Sequence, residues 1–329
     1  MLSRVAERMY WLGRYVERAE NTARLLAVNA NLILDMPSEV GMLWKSLVEI
    51  LSVAQEFTDQ HGEATERNVM KFLVASEKNA GSLVSSLRFA RENARTVREI
   101  VPSEAWEVIN DLYWSAKERQ GEALTRKARL QYLDMIVMQC HQLAGIIANT
   151  MSHREPHHFV RSGCLLERAD MTSRILDVGC TYVLRAGETL AAYENILWTN
   201  VLLSLSAYQM YRQSVRERIN PRDVVAFLLQ DTAFPHAIAY CLEEYGDCMR
   251  RLPRHETPLA EVQRVQKHIA AADPDRLIAA GLHEYIDALQ TSLARCDTAM
   301  RATWFGTNGE WAAAPNVQTR AAQSMSGSA

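Results

Sequence analysis

The stretch YVERAENTARLL, residues 15–26, has a counterpart 150 positions later in LLERADMTSRIL, residues 165–176. Both read Glu-Arg-Ala-acid-x-Thr-x-Arg, although Asn21 of the first stretch is replaced by Met171 in the second. An ordinary solvated helix face needs charges but no fixed order of them. We therefore interpret the two stretches as corresponding parts of an internal duplication.

A second pair of blocks supports this interpretation. RNVMKFLVAS begins at Arg67 and RDVVAFLLQD begins at Arg222, an offset of 155 residues against 150 for the first pair. The order of the blocks is kept and their spacing drifts by only five residues. The sequence predicts a duplicated unit of about 150 residues.

The apolar residues around the first stretch predict one long helix. They recur at alternating steps of four and three residues, which is typical of one helix face. The members of this series are Val5, Met9, Leu12, Val16, Ala19, Ala23, Leu26, Ala30 and Ile33. Pro37 is expected to end the helix. Similar spacing fills the rest of the chain, so we predict an all-α fold, a pseudo-symmetric helical bundle built from two tandemly duplicated halves; two separate domains are the alternative.

The predicted boundaries follow from breaks in the helical pattern. We assign residues 1–151 to an N-terminal helical half and residues 160–305 to a C-terminal half. The connecting segment is 152–159, SHREPHHF, where Pro156 and polar residues interrupt the pattern. Residues 306–329 are rich in Gly, Ala and Ser and are expected to form a disordered tail.

The repeated charges form a narrow polar strip on each predicted helix. On a helical wheel, Glu17, Glu20, Asn21 and Arg24 fall together opposite the apolar face. The candidate charged network or ligand site consists of Glu17, Arg18, Glu20, Arg24, Glu167, Arg168, Asp170 and Arg174. An exposed i,i+4 pair contributes only about 0.2–0.5 kcal/mol, which does not account for the repetition. The strips would hold the two halves in register, line a pocket for a charged ligand, or form a solvated face.

Arg216, Arg218 and Arg222 form a second candidate site. Asn220 and Pro221 are typical of a helix start, and the amino end of a helix attracts anions. The cluster therefore predicts either an anion-binding site or a helix cap flanked by surface arginines.

Residues Arg88, Arg91, Arg95 and Arg98 form a basic stripe at helical spacing. Glutamates interleave with them, and the sequence indicates no aromatic stacking platform of the kind that single-stranded nucleic acids use. We interpret the stripe as a solvated or protein-contact face, with nucleic-acid binding as the less favoured hypothesis.

Metal and catalytic motifs are weak in this sequence. His153, His157, His158 and Glu155 carry ligand atoms, but Pro156 is expected to disrupt the helix that would align them. The chain contains no Gly-x-x-x-x-Gly-Lys loop, Gly-x-Ser-x-Gly elbow or His-Glu-x-x-His pair. We predict no metal, no cofactor and no catalytic residue.

Composition argues against several classes of partner. The chain has 36 basic and 39 acidic residues, so its net charge of −3 favours neither nucleic acid nor an anionic membrane. No uncharged apolar run reaches about 18 residues. Six cysteines occur without a Cys-x-x-Cys pair, which is typical of reduced core cysteines in a cytoplasmic protein.

The sequence resembles the bacterial Alpha-E family, a predicted helical domain of unknown function named for a Glu-Arg motif. The resemblance rests on MLSRVAERMYWLGRYVERAENTARLL with its Glu17-Arg18 pair, SLRFARENAR, RERINPRDVVAFLL and FPHAIAYCL, and extends from residue 1 to about 305. Met171 and Cys164 break the symmetry of the second copy. The resemblance marks Glu17 and Arg18 as the first residues to test and, through the internal repeat, Glu167 and Arg168 as well.

The resemblance also implies a context. Proteins similar to this one are encoded beside, or fused to, circularly permuted ATP-grasp ligase-like proteins and transglutaminase-like cysteine peptidases. We therefore expect a non-catalytic helical scaffold that acts with an ATP-grasp ligase-like partner in a peptide-forming or peptide-modifying pathway. The alternative is an enzyme or binding protein whose paired Glu and Arg residues hold an anionic or peptide substrate.

Overall fold

A computed structural model describes residues 2–35, 42–185, 194–279 and 281–306. These residues contain fifteen α-helices and no β-strand, which confirms the all-α prediction. The helices are α1 (Ser3–Asp35), α2 (Met42–Ile50), α3 (Ala54–His61), α4 (Glu66–Met70), α5 (Leu83–Thr96), α6 (Ser103–Arg119), α7 (Arg126–Thr150), α8 (Glu155–Arg185), α9 (Glu194–Ser204), α10 (Tyr208–Ser214), α11 (Pro221–Gln230), α12 (Ile238–Arg250), α13 (Glu256–Ala270), α14 (Pro274–Ala279) and α15 (Leu282–Trp304). A π-helical turn, Lys71–Ala75, and a 3₁₀ turn, Gln120–Leu124, complete them.

Two long helices, α1 and α8, form the centre of the bundle and pack against each other. Helices α5 and α7 cover α1, while α12 and α15 cover α8. Helix α6 packs on both α5 and α7, and α13 packs on both α12 and α15. The buried apolar side chains form one continuous cluster that includes residues from all these helices. The described chain therefore has a single core rather than two.

The contact between α1 and α8 is unusually close at two glycines. A Cβ atom on Gly13 would lie 2.1 Å from the carbonyl oxygen of Val160, and one on Gly163 would lie 2.1 Å from that of Tyr10. Both neighbours are backbone atoms, which cannot swing aside. The absence of a side chain at these two positions is therefore what allows the helix backbones to approach.

The start of α8 differs from the predicted break. Helix α8 begins at Glu155, inside the segment 152–159 that we assigned to the connection. Pro156 lies in the first turn, where a residue without an N–H costs no helical hydrogen bond. The prediction that this proline disrupts the local helix is therefore wrong.

Other boundary predictions have mixed outcomes. Asn220 caps α11 as expected, since its side-chain oxygen accepts a hydrogen bond from the backbone N–H of Asp223 at 2.9 Å, with Pro221 at the first helical position. Helix α1 ends at Asp35, but Pro37 lies outside the described residues. The predicted tail also lies outside them, except for Gly306.

Replacing Gly13 or Gly163 by alanine should destabilise the protein by about 1–3 kcal/mol or more, because the added methyl group meets backbone atoms of the facing helix. Gly145→Ala is the matched control: Gly145 is also helical, but a Cβ there meets nothing within 4 Å. That variant should gain about 0.5–1 kcal/mol. Chemical denaturation followed by circular dichroism measures all three; equal effects of the three alanines would refute the close approach.

Candidate functional site

The repeated Glu-Arg pairs of α1 and α8 bind each other reciprocally. Arg168 donates from Nε and Nη2 to the two carboxylate oxygens of Glu17 at 2.7 and 2.9 Å. Arg18 donates from Nε and Nη2 to the two oxygens of Glu167 at 2.6 and 3.0 Å. We call these four residues the ER clamp. Each pair has the two-pronged geometry that makes arginine–carboxylate contacts strong and directional.

The ER clamp is almost closed to solvent. The side chains of Glu17 and Glu167 are only 4% and 3% exposed, whereas those of Arg18 and Arg168 are about one-fifth exposed. A buried carboxylate without a partner costs several kcal/mol. A shift of α8 along α1 would separate both pairs at once, so the clamp fixes the register of the two helices.

A second reciprocal contact lies further along the same helices. Arg24 binds Glu20 of its own helix and the hydroxyl of Ser206. Arg174 binds Asp170 of its own helix, at 2.8 Å, and the hydroxyl of Ser52. All eight residues of the charged network predicted from sequence therefore lie at the α1–α8 contact or its immediate flanks.

The two clamp carboxylates differ in their surroundings. Arg14 donates to Oε2 of Glu167 at 2.5 Å, which gives that carboxylate a second guanidinium. Arg14 is in turn held by the Tyr10 hydroxyl, at 3.0 Å, and by Asp297 of α15, at 3.1 Å. Glu17 has one guanidinium, and its further bond comes from the neutral amide of Asn21 at 3.2 Å. The position 150 residues beyond Arg14 is Cys164.

These surroundings move the two pKa values in opposite directions. Burial raises the pKa of Glu17; Arg168 opposes the effect and the nearby Glu20 adds to it, and the net shift is upward. Burial also disfavours ionised Glu167, but Arg14 and Arg18 outweigh it and lower that pKa to about 2. The pKa of Glu20 likewise falls to about 2, because His141 and Arg24 outweigh burial. Glu17 is thus the carboxylate of this group that holds a proton most readily.

A cavity of about 160 Å³ lies beside Glu17, between α1, α7, α8 and α12. Its wall is largely apolar and comes from residues such as Val16, Leu143, Ile147, Val160 and Leu165. The polar side chains in the wall are Glu17, Glu20, Cys140, His157, Arg161, Cys164, Arg168 and Tyr240. The site thus combines a buried carboxylate with an apolar compartment, which is typical of a small-ligand site.

The cysteines of this cavity are not activated nucleophiles. Burial raises the pKa of Cys164 to about 12 and that of Cys140 well above its ordinary value. Both side chains are therefore neutral thiols near pH 7, and the thiolate is the reactive form. Cys164 instead donates a weak hydrogen bond to the carbonyl oxygen of Gly13, with a sulfur–oxygen distance of 3.4 Å.

Comparison with known proteins shows the family to which this chain belongs. The model of Alpha-E, described as a predicted alpha-helical domain with a conserved ER motif, matches residues 1–305. The chain belongs to the Alpha-E family. In this member, the Glu-Arg pairs at 17–18 and 167–168 close on each other at the centre of the fold.

The Alpha-E chain is also similar to uncharacterised proteins of Mycobacterium bovis and Mycobacterium tuberculosis. Each is 22% identical to it over 340 residues, a match that covers 93% of this chain and 37% of the relative's length. The chain therefore spans little more than a third of these relatives. No solved structure matches it. None of the helices in the described ranges is long and apolar enough to cross a membrane.

The sequence analysis did not identify several residues that lie at the contact between α1 and α8 or beside it. Gly13 and Gly163 keep the same 150-residue offset as the clamp, so the signal was present in the extended repeat. Ser52 and Ser206 lie in a further matched pair of blocks, LSVAQ at 51–55 and LSAYQ at 205–209, and both adopt the left-handed backbone region with φ of 56° and 52°. Arg14 carried no such signal because its counterpart is a cysteine.

The second candidate cluster is differently arranged. Arg222 lies between two carboxylates, at 2.7 Å from Asp223 and 3.2 Å from Asp275. Arg216 and Arg218 are exposed in the segment before α11. This geometry favours the cap flanked by surface arginines over an anion site.

The histidines near residue 155 lie on or just before α8. The rings of His153 and His157 stack with centroids 4.0 Å apart. Burial and neighbouring His153 lower the pKa of His157 to about 4, and burial with Arg251 lowers that of His158. The rings of His157 and His158 are therefore neutral near pH 7.

A different group of metal-type ligands occurs at the surface. Asp177, His283 and Asp287 place one ligand atom each within 4.8 Å of the others. His283 binds Asp177 through Nδ1 at 2.8 Å and faces Asp287 through Nε2 at 3.7 Å. Both ring nitrogens thus face carboxylates, as expected of a histidine in an ion pair.

The basic stripe of α5 has aromatic neighbours that the sequence did not indicate. The guanidinium of Arg91 lies 5.5–5.6 Å from the ring centroids of Trp106, Tyr113 and Trp114, all on α6. That of Arg98 lies 5.4 Å from Trp106. Aromatic side chains therefore lie beside the stripe, because α6 supplies them from a separate part of the sequence.

Glu167→Gln should cost more stability than Glu17→Gln. The first change takes the carboxylate away from both Arg18 and Arg14, whose side chain is 3% exposed, and should cost about 3–5 kcal/mol. The second strands Arg168, which is one-fifth exposed, and should cost about 1–3 kcal/mol. Asp247→Asn, in an exposed pair with Arg250, is the control and should change stability by less than about 1 kcal/mol. Urea unfolding ranks the three; a reversed order for the two glutamines would refute the asymmetry.

Glu20→Gln and Glu17→Gln should depend on pH with opposite sign. The pKa of Glu20 is lowered from 4.5 to about 2, so its contribution to the free energy of unfolding is present above pH 4.5 and is lost as the pH falls toward 2. The pKa of Glu17 is raised, so ionising it costs stability as the pH rises past 4.5. Unfolding curves from pH 3 to 7 should show the cost of Glu20→Gln growing with pH and that of Glu17→Gln shrinking; parallel curves would contradict the assignment.

Proposed function

We propose that this Alpha-E protein is a non-catalytic helical scaffold that acts with an ATP-grasp ligase-like partner in a bacterial pathway that makes or modifies peptide-like amide bonds. A transglutaminase-like peptidase is a further proposed partner, and the proposed compartment is the cytoplasm. The five described cysteines are unpaired thiols, which fits a reducing compartment.

The length of the mycobacterial relatives carries the scaffold proposal. The match takes up only 37% of each relative, so the Alpha-E-like part is joined there to more than its own length of further polypeptide. Fusion holds two domains at high effective concentration, which favours domains that work together. The ATP-grasp identity of the partner rests on the family resemblance described above.

The state of the ER clamp supports a structural rather than catalytic role. Each guanidinium of the clamp is engaged by a carboxylate on the facing helix, so neither is free to orient an anionic substrate. The cysteines of the adjoining cavity are neutral thiols. The clamp thus holds α1 and α8 together inside the scaffold.

We further propose that the bundle arose by tandem duplication of a unit of about 150 residues. Three reciprocal contacts support this: the two Glu-Arg pairs, the two glycine approaches, and the contacts of Arg24 with Ser206 and Arg174 with Ser52. In each, the residues of one contact correspond to those of the other at an offset of 150 or 154 residues. Helices α5 and α7 also flank α1 with α6 packed on both, as α12 and α15 flank α8 with α13 packed on both.

A second candidate function, ligand binding or catalysis at Glu17, is favoured by one observation. Glu17 combines a raised pKa with a place in the wall of a cavity, as general acids and bases often do. Because the guanidinium groups here are already bound to carboxylates, we do not expect an anionic substrate at this site.

The scaffold proposal predicts a defined complex. When the chain is co-expressed with an ATP-grasp ligase-like protein from the same bacterium, size-exclusion chromatography with light scattering should give one species of fixed stoichiometry. The chain alone should release no ADP from ATP with amino-acid or peptide substrates, and adding it should raise the ADP release of the partner.

Two results would overturn the proposal. One is a ligase or hydrolase activity of the purified chain alone that is abolished by Glu17→Gln in a folded variant, with Asp247→Asn fully active. The other is separate elution of the two proteins with unchanged ADP release, which would remove the partner.

A further inference from the structure

The two clamp carboxylates differ in the donors that reach their Oε2 atoms. Oε2 of Glu167 accepts from Nη2 of Arg18 at 3.0 Å and from Nε of Arg14 at 2.5 Å. Oε2 of Glu17 accepts from Nη2 of Arg168 at 2.9 Å, and no other donor among the described residues reaches it. A carboxylate oxygen has room for two donors. Glu17 thus lacks the bond that Arg14 provides to its counterpart.

The cavity lies where that missing donor would lie. Arg14 and Tyr10 fill the space beside Glu167, and the residues 150 positions further on are Cys164 and Val160. Cys164 and Val160 line the cavity beside Glu17. Gly13 approaches the Val160 carbonyl as Gly163 approaches that of Tyr10, which confirms that these positions correspond in space. Two large side chains have been exchanged for two small ones, and the space is open.

The size and wall of the cavity limit what fits. A volume of about 160 Å³ equals the share of about five water molecules in the liquid, and a cavity of similar size is known to admit a molecule such as benzene. Its apolar wall suits a short hydrocarbon stem. The Nδ1 atom of His157, a side chain that is 6% exposed, lines the site without a hydrogen-bond partner among the described residues. The site therefore offers two unused polar positions and an apolar body.

The charged side chains of the cavity wall determine whether a cationic or an anionic ligand is expected. Arg161 and Arg168, the guanidinium groups of the wall, are bound to Glu244 and Glu17. Glu20, the other carboxylate of the wall, is bound to Arg24 and lies 3.0 Å from His141. The unfilled position is therefore an acceptor on a buried carboxylate, which a cationic donor satisfies best.

We propose that this cavity binds a small organic cation, an alkylamine or alkylguanidine, whose charged group donates to Oε2 of Glu17 and whose stem lies against Leu143, Ile147 and Leu165. The ligand takes the place that Arg14 occupies on the other side of the helix pair. This inference does not depend on the scaffold proposal, since a scaffold and an enzyme would hold such a ligand equally well.

Matched probes of nearly one size test the charge requirement. Butylamine, butan-1-ol and butyrate share a stem and carry a cationic, a neutral and an anionic head at pH 7.5. Titration followed by saturation-transfer difference NMR should give a dissociation constant for butylamine at least ten-fold below that of butan-1-ol, and butyrate should be weaker still.

Variants place the binding at the cavity. Glu17→Gln should weaken butylamine at least ten-fold, and Cys164→Arg should abolish its binding by filling the space with the guanidinium that position 14 carries on the other side. Ala144→Leu narrows the cavity from the exposed face of α7 and should also abolish binding without touching the clamp. Asp247→Asn, an exposed carboxylate outside the cavity, should bind butylamine as the wild type does. Circular dichroism verifies that each variant is folded.

Every other outcome overturns the proposal. Equal or tighter binding of butan-1-ol makes the cavity a plain apolar site, and preference for butyrate makes it an anion site. Butylamine binding that survives both Cys164→Arg and Ala144→Leu lies elsewhere on the protein. An absence of binding by all three probes leaves the cavity without the proposed ligand class. Because the readout is binding and not partner activity, these results stand whether or not the scaffold proposal holds.

Discussion

The bundle depends on the exchange of Glu-Arg pairs between its two central helices. Glu17 and Glu167 are almost wholly buried. Arg168 donates two hydrogen bonds to Glu17, and Arg18 donates two to Glu167. Such pairs add little net stability, since removing the charges from water costs about as much as their attraction returns. Their value lies in discrimination: every misaligned packing of α1 on α8 would leave several buried charges without partners. The closeness that makes the exchange possible comes from Gly13 and Gly163.

The same clamp explains why the site is asymmetric. Its two halves use identical residue types at the centre, but Arg14 and Tyr10 on one side are replaced by Cys164 and Val160 on the other. On the side of Glu167 the space is therefore filled, and two guanidinium groups bind the carboxylate. They lower the pKa of Glu167 to about 2 although burial opposes this. The other side has a cavity, two neutral thiols and a carboxylate whose pKa is raised. The Glu-Arg pairs of α1 and α8 thus make the same kind of contact, while a cavity lies beside Glu17.

A fully engaged network also bears on how the protein works with others. Charges that are bound to one another inside the fold are not available to other molecules. The α5–α6 face, where Arg91 lies among Trp106, Tyr113 and Trp114, has the residue types that dominate binding energy at protein interfaces.

The sequence by itself determined the helical class and the long first helix, because helix periodicity is a local property. From its two similar stretches the sequence named eight charged residues but not the contacts that they make. It also determined the cap at Asn220, which depends only on neighbouring residues. It failed at Pro156, where the position of a proline in a helix decides its effect, and at the α5 stripe, whose aromatic neighbours come from another helix. Only the tertiary structure decided that each Glu binds the Arg of the facing helix, that Arg14 joins the Glu167 pair, and that a cavity lies beside Glu17. Those features depend on which side chains meet across α1 and α8, and no periodicity within one helix specifies the partner it will face.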